Sequence, residues 1–132
     1  MNNKVELDFG VVWIDDKILV SELHEGVLLD VENNRKILAL GREIFEGEAF
    51  GYISHRINSY AVDPMVYRES AENEQLRAIA VVSDKEMARK SAQLEKKFYT
   101  NKNSFQIFGS LEEAKTWIRE VIACQSKIDS FS

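Results

Sequence analysis

Two short polar clusters hold most of the side chains that could recognise a partner or do chemistry. The first runs His55-Arg56-Ile57-Asn58-Ser59-Tyr60, with Asp63 three residues on; the second is Ser83-Asp84. Each follows a run that reads as a β-strand. In an open α/β sheet, ligands approach the carboxyl ends of parallel strands, where helix N-termini present free N–H groups to anions. Arg56, Asn58, Ser59, Tyr60 and Asp63 would then form a recognition loop on a rigid scaffold, facing a protein partner or a small anionic ligand. The same residues also suit a plain strand-to-helix turn, with Asn58 and Ser59 satisfying local backbone groups and Tyr60 packing. At Ser83 and Asp84 helix capping is sufficient explanation, and Asp84 would oppose an anion.

Catalysis finds little support. His24 and His55 lie far apart in sequence, without metal-ligand spacing to Cys124, and no glycine-rich phosphate loop or nucleophile elbow is present. His55, Ser59 and Asp63 could be imagined as a triad, but such sets are defined by three-dimensional geometry that spacing does not enforce. No catalytic residue, metal or cofactor is expected.

The elements that must position these clusters are organised around Arg77–Asp84 (RAIAVVSD), whose unbroken apolar run predicts a strand covered on both faces. Ser83-x-x-Glu86 reads as a capping box opening a helix. In that helix Met87, Ser91, Leu94 and Phe98 recur at helical spacing, the stripe a helix normally turns to its core. Arg89, Lys90, Lys96 and Lys97, interleaved with Glu86 and Glu95, read as its solvated face. The grammar repeats: Phe105–Phe108 is a short strand, Ser110-x-x-Glu113 a second capping box, and Ala114, Trp117, Ile118, Val121 and Ile122 an inward stripe. Strand, helix, strand, helix with short joins predicts right-handed crossovers and parallel pairing.

Upstream, Val5, Leu7 and Phe9 alternate with polar residues, and Val11–Ile14 and Ile18–Leu23 flank the reversal Asp15-Asp16-Lys17, predicting an antiparallel hairpin or meander. Asp30 is placed to cap a long helix carrying Val31, Leu38, Gly41 and Phe45, flanked by Ile37, Leu40 and Ile44 and ended by Gly47. Gly41 within it implies close packing. Phe50–Ile57 is the next strand, and Asp63-Pro64 reads as N-cap and first residue of a short helix with Val66 and Tyr67. The fold class is therefore a single-domain α/β sandwich with a mixed sheet, an N-terminal antiparallel hairpin at one side, and helices packed on parallel core strands. Its core spans about residues 5–123 of 1–132, with 124–132 as a tail.

Bulk properties agree. The 45% hydrophobic and 30% charged composition belongs to a soluble globule, and 132 residues suffice for a core without staples. A net charge of −5 argues against nucleic acid. Cys124, alone, excludes an intrachain disulfide and reads as a small core residue in a reducing compartment. No signal-peptide-like or membrane-spanning segment stands out, so the cytoplasm is expected. Trp13, Tyr99 and Phe131 offer surface for a homodimer, unless they are ordinary core, rim or tail residues.

The element order, with LDVENNRKILALG in the first helix, RAIAVVSDKEMARK at the centre and FQIFGSLEEAKTWI at the end, resembles the STAS domain, in the subgroup like the bacterial anti-sigma factor antagonists. The topology is also broadly similar to the lipid-binding CRAL-TRIO fold. The STAS resemblance implies a noncatalytic regulatory module that binds a protein partner. It also implies a phosphorylatable serine at the start of the helix after the corresponding strand, usually in Asp-Ser-Ser-Gly. That sequence is lacking here, and Ser59, in Arg-Ile-Asn-Ser-Tyr, is nearest in position. A carrier of a small molecule or lipid is the alternative, and would require a cavity beneath the helices lined by Phe45, Phe50, Tyr52 and Tyr67.

Overall fold

A computed structural model describes residues 3–130. The chain opens with an antiparallel meander, β1 (Lys4–Leu7), β2 (Gly10–Asp15) and β3 (Ile18–Leu23). There follow β4 (Leu28–Leu29), α1 (Val31–Phe45), β5 (Phe50–His55), β6 (Ala61–Val62), α2 (Val66–Glu72), β7 (Leu76–Val82), α3 (Glu86–Lys96), β8 (Phe105–Phe108) and α4 (Leu111–Ser130). Six strands form one mixed sheet in the order β1-β2-β3-β5-β7-β8, parallel from β3 onward. The hairpin thus lies at one side, as its short turns require. A second, two-stranded parallel sheet, β4 with β6, has no counterpart in the sequence reading, since two-residue strands leave no periodic signal.

Within the large sheet, strand order follows chain order, so all parallel crossovers step in one direction. Right-handed crossovers that never reverse deposit their helices on one face. Accordingly, residues of α1, α2 and α3 share a core with Val12, Leu19, Leu23, Phe50, Tyr52, Ile79, Val81 and Phe105. On the opposite face Ile18, Val20, Ile53, Ala78, Ala80 and Val82 meet Ala114, Ile118 and Ile122 of α4. The alternation along β7 between the two sets is the period-2 signature of a strand buried on both sides.

Two glycines permit this packing. A β-carbon at Gly41 would fall 2.4 Å from the Phe50 ring, and one at Gly51 would fall 2.2 Å from Ile118 Cγ2. Close approach of helix to sheet therefore accounts for Gly41, as the sequence implied. Asp30 caps α1 as expected, its Oδ1 accepting the Asn33 N–H at 2.8 Å, and Ser110 Oγ accepts the Glu113 N–H at the start of α4. Two caps differ. Ser83 does not cap α3; its buried Oγ accepts the N–H of Lys85, the residue before the helix, in a local turn. Asp63 likewise accepts the Met65 N–H at 3.0 Å, so α2 begins at Val66, beyond the Asp63-Pro64 pair.

The α4 stripe faces inward as expected, but Cys124 lies two residues past buried Ile122, about 200° further round the helix, and is exposed rather than in the core. Tyr99 is a core residue, whereas Trp13 sits at the rim with its Nε1–H donated to Glu22 at 3.0 Å. Phe131 lies outside the described residues. Among the described residues no helix is long and apolar enough to cross a membrane.

Candidate partner-binding site

The carboxyl ends of β5 and β7 lie side by side, because His55 and Val82 are register partners. The chain leaves β5 through Arg56, whose fate is set by α3. That helix is rotated from the expected orientation: Ala92, Glu95 and, just past its end, Tyr99 are buried, while Met87, Leu94 and Phe98 are exposed. Inward and expected stripes are offset by one residue, which on a helix is a rotation of about 100°. Glu95, taken from the sequence as part of a solvated face, instead forms a bidentate pair with Arg56, Nη1 to Oε2 at 2.8 Å and Nη2 to Oε1 at 2.6 Å.

The pair is embedded in hydroxyls. Arg56 Nε donates to Ser54 Oγ at 3.1 Å, the Tyr67 phenol donates to Glu95 Oε1, and Tyr60 shares a hydrogen bond with Ser54 while its ring lies against the guanidinium. A buried ion pair is tolerable only when its remaining polar atoms are satisfied. Here no buried side-chain polar atom is left without a partner among the described residues. Burial works against the charge on Arg56, yet the Glu95 carboxylate, together with the Tyr60 and Tyr67 phenols, more than offsets it and holds the pKa above its ordinary value. Burial, followed by the charge of Glu95, pushes the Tyr67 phenol well up.

Arg56 and Tyr60 therefore anchor the loop from below while lining one side of the cleft beside it. Asn58 donates to Leu23 O at 2.9 Å, and the Ser59 N–H donates to Glu25 Oε2 at 2.8 Å. Gly26 N–H to Ser59 O and Ala61 N–H to Val27 O complete a clasp between the loop and residues 24–29. Ser59 itself is exposed, and its hydroxyl makes no hydrogen bond among the described residues. Beside it a cleft of about 180 Å³ opens between the loop and α3, lined by Arg56, Asn58, Ser59 and Tyr60 on one side and Lys85, Met87, Ala88 and Ser91 on the other. The exposed side chain of Ile57 belongs to the same loop.

The other sequence candidates lie apart. His55 pairs through Nδ1 with Glu22 Oε2 at 3.0 Å, and Asp63 is engaged with its own turn. Ser83 is buried and Asp84 exposed. No cluster with metal-holding composition occurs among the described residues. Between sheet and helices, a cavity of about 20 Å³ is lined by Tyr52, Tyr67, Ser54, Arg56 and their neighbours. That is room for about one water. Phe45 and Phe50 stack on each other at 5.2 Å between centroids instead of lining a chamber.

A six-stranded mixed sheet with an antiparallel N-terminal hairpin, a parallel core and four helices is consistent with the STAS fold. A family model described as SpoIIAA-like matches residues 14–119. The chain belongs to this family, a STAS-like group of the anti-sigma factor antagonist type whose members are generally noncatalytic. No curated protein and no solved structure matches the chain.

Proposed function

We propose that the chain, folded as one domain over residues 1–132 with its core at about 5–123, is a noncatalytic module of the bacterial cytoplasm. Its loop at Arg56–Asp63 meets a protein partner, and phosphorylation of Ser59 controls that meeting. The observation that carries this reading is an exposed Ser59 hydroxyl at the lip of a cleft whose α3 wall carries Met87 and Ala88 beside Lys85 and Ser91. Like charge supplies the switch: a phosphoryl group on Ser59 brings about two negative charges close to Glu25, whose carboxylate now accepts the Ser59 N–H. The clasp between the two loops would loosen, and the cleft edge would change shape and charge together. At the second strand-end pair, Ser83 and Asp84, the Ser83 hydroxyl serves the turn into α3 by accepting the Lys85 N–H.

The test has two readings from protein isolated from its own cells. Intact-mass analysis should find a phosphoryl adduct that survives denaturation and maps to Ser59. The wild-type chain should retain a partner that Ser59→Asp releases. A Ser59 never modified, together with a Ser59→Asp variant that keeps the same partner, would overturn the phosphate control.

A further inference from the structure

The cleft beside Ser59 does not end at Ser91. Its α3 wall continues as an exposed apolar stripe, with Met87 74%, Leu94 62% and Phe98 52% exposed. Positions 87, 91, 94 and 98 superpose within three turns of helix, a strip about 16 Å long at 1.5 Å per residue. Helical geometry puts Lys90 and Lys97, two turns apart, along the strip's outer edge, and Lys85 lines the mouth of the cleft. The one carboxylate on that edge, Glu86, is engaged by Lys90 at 3.4 Å. In a chain of net charge −5 this is a cationic border along one edge of an apolar strip.

We infer that the α3 stripe is a docking surface for an acidic amphipathic helix of another protein. Its apolar anchors, spaced i, i+4, i+7, lie between Met87, Leu94 and Phe98, and its carboxylates meet Lys85, Lys90 and Lys97. Charge selects this occupant. Two copies of the present chain joined through the same face would set Lys90 and Lys97 against their equivalents, an arrangement that like charge disfavours. The inference rests on the interaction-module reading and adds to it the chemistry of the partner and a second contact surface beyond the Ser59 loop.

A photo-crosslinking amino acid placed at Leu94 of the full chain, and separately at Ile57, tests it in the source cells. At Leu94 the adduct should be a peptide of another protein with more Asp and Glu than Lys and Arg. Combined Lys90→Glu and Lys97→Glu substitution, both at exposed positions, should lower its yield about tenfold, with circular dichroism and Tm verifying the fold. A lipid adduct, a peptide of this same chain, a partner peptide that is not acidic, or a yield indifferent to charge reversal each overturns the inference. Silence at Leu94 with crosslinking at Ile57 removes the α3 surface and leaves the module. Silence at both positions removes both.

Discussion

Glu95 decides more about this molecule than any residue that looked functional at first. Its carboxylate accepts from both terminal guanidinium nitrogens of Arg56 and from the Tyr67 hydroxyl, tying α3, the start of the Ser59 loop and α2 into one buried cluster. Removing one partner of such a pair strands the other's charge in a place water does not reach. Glu95→Ala should therefore lower unfolding free energy by roughly 3–5 kcal/mol in urea titrations. The double variant Arg56→Met/Glu95→Leu, which removes both charges, should recover a large part of that loss. If the double variant is as unstable as the single one, the cost lies in packing and not in charge. The sequence offered one clue to this pair: Ala88, Ala92, Glu95 and Tyr99 also recur at helical spacing, but a stripe of two alanines, a glutamate and a tyrosine is outscored by Met87, Leu94 and Phe98 on hydrophobicity alone.

That competition explains what could be read at the level of elements. Helices and strands were legible because their periodicities are strong: β7 is an unbroken apolar run, α4 has a clean inward stripe, and Asp30 and Ser110 sit where caps belong. The facing of α3 was not, since it depends on Arg56, thirty-nine residues away, and no local pattern carries that pairing. Cys124 failed for a different reason: two residues beyond Ile122, it falls about 200° round the helix from the inward line of Ala114, Ile118 and Ile122. The rotation of α3 predicts unequal responses to substitution. Leu94→Gln should shift stability by no more than about 0.5 kcal/mol, as for an exposed surface site. Gly51→Ala, which drives a methyl against buried Ile118, should cost about 1–3 kcal/mol. Thermal melts of the two variants side by side check both, and a Leu94→Gln loss matching that of Gly51→Ala would mean that α3 packs its apolar stripe after all.

For the whole molecule, the tyrosines report on integrity. All four, Tyr52, Tyr60, Tyr67 and Tyr99, have phenols whose pKa burial raises in the fold. A group whose folded pKa lies above its unfolded value stabilises the fold below that unfolded value, near 10 for tyrosine, and ceases to do so as pH rises through the folded pKa. Stability should therefore fall above about pH 10. Phenolate absorbance should appear in one cooperative step that coincides with loss of the circular dichroism signal. A non-cooperative rise centred near pH 10, with the fold intact, would contradict the burial. The order β1-β2-β3-β5-β7-β8 has a further consequence for how the protein is made. A ribosome releases the strands in the sequence in which the sheet needs them. Each newcomer adds to the free margin left by its predecessor, and none has to be threaded between two strands already joined. The nascent chain can thus zip up from its N-terminal meander as it emerges, with the last helix, α4, arriving to seal the second face only when the final strand is in place.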